Sequence, residues 1–138
     1  MRLTTRSRYG TRLLLDIARH QDAGWVCTSE IASRQNISQK YIEKLITGLR
    51  RGGLITSKRG PLGGHKLARS AGSITVGEIV RLLEEKDGDF GQNQDTIPGC
   101  SNPDSDECRT EIVWAEAANV LMKTLDSYRL GDLLSRRD

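Results

Sequence analysis

The stretch TSEIASRQNISQKYIEKLITGLRR, residues 28–51, constrains this chain more than any other. It predicts two short helices joined by a tight turn. Thr28 or Ser29 is the expected N-cap of the first, with Ile31 and Ala32 inward, because a hydroxyl there accepts from an unpaired N–H of the first turn. Asn36 ends that helix and makes the turn. Ser38 caps the second helix, whose apolar residues Ile42, Leu45, Ile46 and Leu49 recur at the three-and-four spacing of a buried helical face. Gln39, Lys40, Glu43, Lys44, Thr47 and Arg50 fall on the opposite face. They are polar and mostly long, the character of a helix that reaches base edges and phosphates. Gly52 and Gly53 stop it, as glycines do after a last helical turn.

A wing comes next. Residues 54–57, LITS, are a short β-prone run. Gly60, Pro61, Gly63 and Gly64 then force a turn, and residues 65–68 return as a second strand. At the tip, Lys58 and Arg59 have the charge and reach to enter a minor groove or clasp phosphates. Ahead of the helical pair, residues 4–21 predict a helix with Leu13, Leu14, Ile17 and Ala18 on one face, stopped near Asp22 and Gly24. Arg6, Arg8, Arg12 and Arg19 are distributed around it.

The second half is organised differently. Thr75 and Glu78 form a capping box, which opens a helix carrying Ile79, Val80, Leu82 and Leu83 and closed by Lys86, Asp87 and Gly88. Residues 87–106 are rich in Gly, Pro, Asn, Ser and Asp; loops of about this length are uncommon in compact domains and are often functional. From about Glu107 a long helix is expected to run to Lys123 or beyond. Its stripe is Trp114, Ala117, Ala118, Leu121 and Leu125, widened by Ile112, Ala115 and Met122. A helix this apolar needs a surface to pack on, and a second copy of the chain supplies one. The tail adds a short helix with Leu130, Leu133 and Leu134. The expected architecture is mainly α: a winged helix-turn-helix DNA-binding domain over residues 1–86, a cysteine-bearing sensor loop over 87–107, and a dimerisation helix with its tail over 108–138.

Charge separates the same two halves. The net charge is only +3, but residues 1–69 hold 14 Lys+Arg against 4 Asp+Glu, whereas residues 70–138 hold 7 against 14. A basic half suits a polyanion; the acidic half has another task. Aromatics make up 4% of the chain, so aliphatic side chains must fill the core. No run approaches the roughly 18 apolar residues of a membrane span, and the basic N-terminus lacks a signal-peptide apolar core. A cytoplasmic protein without a membrane partner is expected. An enzyme is not expected. RGPLGGHK is glycine-rich but does not match a phosphate-loop pattern, and His20 and His65 lie in separate elements without zinc-ligand spacing.

The opening MRLTTRSRYG, the segment ISQKYIEKLITGLRRGGLITSKRGPLGGHKL and the later SITVGEIVRLLE resemble the IscR/NsrR/CymR family of bacterial transcription regulators. The resemblance covers nearly the whole chain and is most specific over LRRGGLITSKRGPLGGHKL. It implies a winged helix-turn-helix homodimer, joined through the long C-terminal helix, that binds a palindromic operator in double-stranded DNA, as a repressor. It also implies base reading near the start of the recognition helix, where this chain has Ser38, Gln39, Lys40, Tyr41 and Glu43, and a minor-groove arginine at Arg59. The chemistry of these side chains agrees. Gln39 can pair with adenine, Lys40 can reach guanine and Glu43 can accept from cytosine. Arg2, Arg8, Arg50, Arg51 and Lys58 are better suited to phosphates, which position without specifying. Thr28, Lys44 and Gly60 complete the expected contact set. Tyr41 has two readings, a phosphate hydrogen bond or a packing residue.

Several members of that family hold an iron–sulfur cluster through three cysteines in the loop before the long helix. This loop has two, Cys100 and Cys108, and nothing matches the first family cysteine among residues 88–99. A histidine used downstream in some members is Glu111 here, and an acidic position near the N-terminus is Arg8. A four-ligand site would need Cys100, Cys108 and two oxygen ligands, from Glu111, Asp104, Asp106 or Glu107, some of them across a dimer; such a cluster would be labile. Two other readings stand beside it. The two thiols form a reversible disulfide or are oxidised, or they have no sensing role and a partner protein or small molecule regulates the protein. Cys27, just before an apolar helix, is most simply a small buried hydrophobe.

Overall fold

A computed structural model describes residues 3–84, 102 and 104–135. Helix α1, Thr5–His20, is capped by Thr4, whose side chain accepts from the Arg6 N–H. A short 3₁₀ turn, Gln21–Ala23, ends at Gly24 with φ 133°. Helix α2, Thr28–Gln35, follows. Its N-cap is Cys27, not Thr28 or Ser29, and Cys27 makes no side-chain cap hydrogen bond there. Cys27 is also only half-buried, with Sγ 3.2 Å from Ser29 Oγ, so it is not the core residue expected of it.

Asn36 takes the left-handed conformation, φ 55°, and ends α2 as expected. Helix α3, Gln39–Arg51, begins at Ser38, whose side chain accepts from the Tyr41 N–H at 3.2 Å. Ile42, Leu45, Ile46 and Leu49 are all buried. Each contributes on the order of 1.5–3 kcal/mol by leaving water, and together they seat α3 on the core. Strand β1, Ile55–Lys58, pairs antiparallel with β2, Gly64–Leu67, in the register Ile55↔Leu67 to Lys58↔Gly64. Val26 bridges His65 on the other side of β2, so the wing gains a short third member.

Helix α4, Val76–Glu84, packs on α1 and α3. Gly10 of α1 allows the closest approach: a Cβ there would run into the Leu83 side chain. Thr75 Oγ1 accepts from the Glu78 N–H at 3.1 Å, but the Glu78 carboxylate goes to Arg69 instead of back to the cap; the capping box is therefore half made. Helix α5, Asp106–Asp126, is capped by Ser105, and α6, Leu130–Ser135, closes the chain. The main core joins α1, α2, α3, β1 and α4, and Leu130 of α6 is buried in it. A backbone bridge between Thr75 and Arg129 brings the tail back to the body. The closing residues of α4, Lys86, Asp87 and Gly88, and most of the loop after them lie outside the described residues. Among the described residues no helix is long and apolar enough to cross a membrane.

Candidate nucleic-acid interface

The first helix of the turn is braced on α1 by one buried carboxylate. Asp16 of α1 takes Arg34 in a forked pair, Nη2–Oδ1 2.7 Å and Nε–Oδ2 3.0 Å, and also takes Gln35 Nε2 at 2.9 Å. Burial pushes the Asp16 carboxyl up, but the bonds from Arg34 and Gln35 and the Arg34 charge outweigh that and leave it below the ordinary range. Arg12 adds a second brace from α1, donating to the Gln35 carbonyl at 2.6 Å while lying over the Tyr9 ring. Two charged residues of the basic half, Arg12 and Arg34, are thus spent on holding α2.

With α2 held, α3 presents its polar face to solvent. Ser38, Gln39, Lys40, Glu43, Lys44 and Arg50 are exposed together on it, and Arg51 is exposed in its last turn. No acidic residue stands in the first turn of α3, so its N-terminal N–H groups stay electropositive. Tyr41 is half-buried, edge-on to Tyr9 with ring centroids 5.8 Å apart, which supports its packing reading and leaves it beside the surface. Thr5, Tyr9, Asn36, Ile37, Ser38 and Tyr41 line a shallow pocket where α1 meets the turn.

The wing stands beside this face. Lys58 ends β1, and Arg59 and Gly60 come after it at the exposed tip. Gly60 has φ 113°, and its carbonyl accepts from Gly63 N–H at 3.0 Å, which closes the tip. A Cβ on Gly63 would strike the Lys58 carbonyl, so the turn needs a glycine there. Thr28 is the first residue of α2, half-buried, with Oγ1 3.0 Å from His65 Nε2. Arg8 is exposed on α1. Arg2 lies outside the described residues.

Hydrophobic spacing identifies α3 and its outer face. It misses Thr5 and Tyr9, which reach the site only because α1 crosses the turn, and it misses the tie from Thr28 through His65 to the wing. No local pattern marks such contacts. Nor does one mark Leu62, strongly exposed at the wing tip.

The cysteine region is less complete. Cys108 is buried in the first turn of α5 and is disulfide-bonded, whereas Cys27 is a free thiol. Glu111 lies half-buried three residues further along α5; Cys100 lies outside the described residues. Among the described residues no group of three or more His, Cys, Asp or Glu side chains is close enough to hold a metal ion. The described donors therefore do not by themselves make up the ligand set of an iron–sulfur cluster, which needs four.

Comparison with known proteins places this geometry. Residues 3–136 match the family profile described as "Rrf2: Iron-dependent Transcriptional regulator". The protein Rrf2 of Nitratidesulfovibrio vulgaris is 46% identical over 134 residues, covering 97% of this chain and 87% of that protein. The HTH-type transcriptional regulator IscR of Citrobacter koseri is 37% identical over 139 residues, covering 100% of this chain and 82% of that protein. The structure of CymR, the global cysteine regulator of B. subtilis, superposes with a TM-score of 0.79 at 30% identity, covering 100% of this chain and 99% of that one. The chain belongs to the Rrf2 family of transcriptional regulators. It is a winged helix-turn-helix, DNA-binding regulator and not an enzyme.

Proposed function

Starting from membership in the Rrf2 family, we propose that this chain works as a homodimeric repressor on a palindromic site, reading DNA with residues 38–51 and 58–64. The observation that carries this is the exposed polar face of α3 beside an exposed Lys58–Arg59 wing tip, both braced on a complete apolar core. In this reading Gln39, Lys40, Glu43 and Lys44 reach base edges. Arg8, Arg50, Arg51, Lys58 and the Thr28 hydroxyl take phosphates, and Arg59 with Gly60 takes the minor groove. Ser38 holds the first turn of α3 where its N–H groups meet a phosphate.

The dimer reading rests on α5. Ile112, Val113, Trp114 and Val120 are 60%, 56%, 63% and 59% exposed, and a shallow groove lined by Val113, Ala117, Val120 and Leu121 runs along the helix. Two such helices laid together would bury these surfaces and set two recognition helices at the spacing of two half-sites.

Two readings of the signal each have an observation behind them. The family description favours iron, with the thiolates of Cys100 and Cys108 as ligands and Glu111 as an oxygen ligand; a cluster there would supply a redox-sensitive group. The disulfide at Cys108 favours reversible thiol oxidation. Control by a partner protein or small molecule is the outcome left if both fail. Protein purified without oxygen separates them: visible absorption with bound iron supports the cluster, and colourless, iron-free protein rejects it. A Cys100→Ser, Cys108→Ser double variant with unchanged regulation rejects both.

DNA binding itself is tested with a duplex enriched by the protein from a random-sequence pool. Affinity should fall steeply with salt, with a slope of about 0.9 per phosphate neutralised. Lys40→Ala combined with Arg59→Ala should weaken binding by about 2–6 kcal/mol, on the scale of one to three per base contact. Unchanged binding of that double variant would overturn the reading.

A further inference from the structure

The wing and the head of α2 are joined through one side chain. His65 of β2 is half-buried, its backbone paired with Val26 on one side and with Ser57 of β1 on the other. Its Nδ1 lies 2.7 Å from Ser57 Oγ and its Nε2 3.0 Å from Thr28 Oγ1. Arg50, in the last turn of α3, donates from Nη1 to the same Ser57 Oγ at 3.4 Å.

A guanidinium only donates, so Ser57 Oγ accepts from Arg50. The neutral ring bonds its two hydroxyl neighbours in either tautomer, taking a proton from one and giving one to the other. A protonated ring has no such choice: both nitrogens donate, to Ser57 Oγ and to Thr28 Oγ1, and the Thr28 hydroxyl proton is left over. That hydroxyl sits on the first residue of α2, where the backbone N–H groups of the first turn have no helical partner either. With the ring charged, the row Arg50, Ser57, His65, Thr28 points its donors one way, toward an acceptor outside the protein.

We propose that His65 is a positioning residue for DNA binding, linking the recognition helix and wing to the head of α2, so that a phosphate docked on the Thr28 hydroxyl and a proton on the His65 ring favour one another. The proposal rests on the reading of this face as the DNA surface.

The surroundings of the ring supply the physical reason. It is met by Thr28 from α2, Arg50 from α3, Ser57 from β1 and the Val26 backbone from the segment before α2. Among the described residues no carboxylate bonds it. Glu30, in the first turn of α2, pairs with Arg34, and the Cys27 thiol is turned to Ser29. Lys66, next along β2, lies over the Trp25 ring. Among the described residues, an imidazolium in the free protein therefore has a nearby cation and no bonded carboxylate. Burial first, then Arg50, hold His65 below its ordinary value. A phosphate at Thr28 supplies the missing negative charge. Protonation breaks no bond in the row: Ser57 Oγ has two lone pairs and can accept from both Arg50 and the charged ring once its own proton turns away. DNA thus raises the affinity of the ring for a proton, so the complex takes up a proton and binding tightens as pH falls through the bound-state value.

The test uses the full chain and the duplex enriched from a random pool, at constant salt, from pH 8 down to about 5.5, the range in which histidine titrates. Wild-type affinity should rise as pH falls, by at most about tenfold per pH unit for one linked proton. His65→Gln should flatten that rise while still binding at pH 8, and His20→Gln should keep it. A flat wild-type profile, or the same slope in His65→Gln, overturns the proposal while leaving DNA binding in place. Absence of DNA binding at every pH overturns the underlying reading instead. Should His65→Gln fail to fold, nuclear magnetic resonance titration of the His65 ring in the wild-type protein decides: a higher titration midpoint with DNA bound supports the proposal, and an unchanged midpoint rejects it.

Discussion

Helices α3 and α5 are both amphipathic, yet only one of them is finished within a single chain. The inner face of α3 is wholly buried, through Ile42, Leu45, Ile46 and Leu49, and everything it exposes is polar. Helix α5 is longer, 21 residues, and buries only Cys108 near its start and Met122 near its end. Between them Ile112, Val113, Trp114 and Val120 face solvent. Its C-terminal part is anchored: Met122 packs on Val80, and Arg81 forks onto Asp126 at 2.7 and 2.9 Å. Gly77 makes room for that carboxylate, since a Cβ there would collide with Asp126. On the proposed reading, the contrast gives each helix its task. Reading DNA needs a rigid helix already seated on its own core. Joining two readers needs an apolar surface left uncovered until a second copy arrives.

Disabling the unfinished helix should have the largest effect. Trp114→Asp should give a monomer by analytical ultracentrifugation and weaken binding to a two-half-site duplex by about 100-fold or more, the scale on which linked sites gain over single ones. A Trp114→Asp protein that sediments as wild type and binds DNA normally would show that α5 is not the joint, and the contrast with α3 would lose its meaning.

Next comes the brace beneath the finished one. Asp16→Ala leaves Arg34 without its buried partner and should cost about 1.5–3 kcal/mol of stability in denaturant unfolding, the scale of a hydrogen bond to a charged group. A loss below about 0.5 kcal/mol, the scale of a surface substitution, would mean that the turn is held by its apolar contacts alone.

Acid should reveal the same brace and its counterpart at the end of α4. Glu84 is buried, accepting from Thr4 N–H, the Thr4 hydroxyl and Ser7 Oγ at 2.6 Å, with Arg6 3.5 Å away. Burial raises its carboxyl, but those hydrogen bonds and the Arg6 charge bring it below the ordinary value, as for Asp16. A carboxylate depressed in the folded state adds stability that is complete above its unfolded value. That stability is lost as pH falls through the folded one. The contribution of these two carboxylates should therefore be level above their ordinary values of 3.8 and 4.5 and decline below them. The Asp16→Ala and Glu84→Gln variants should each show a shallower decline, measured by urea titration across that range.

The smallest effect concerns the division of labour on the reading face. Arg51→Ala, at the exposed end of α3, should lower the salt slope by about 1 and weaken all duplexes alike. A change in sequence preference instead would make Arg51 a base reader.

Much of this protein is legible in its sequence because local rules govern much of it. Spacing marks the inner face of α3, Asn36 and Ser38 mark the turn, and glycines mark the wing tip; each depends on residues within a few positions. The polar face of α3 is the complement of the buried one, and the charge imbalance points to a polyanion as its proposed partner. Other features come from chain crossings, which no local pattern encodes. Three of them needed the folded molecule: Cys27 and not Thr28 caps α2, Arg12 and Arg34 brace the turn instead of facing DNA, and His65 ties Thr28 to Ser57. A hydroxyl at a helix start is a good cap in isolation, but Thr28 lies inside the first turn and its hydroxyl meets a ring 37 positions away. Periodicity along the chain is enough to set which helices form and which of their faces are apolar. Which polar groups meet, and which apolar face stays uncovered, depends on how those helices cross.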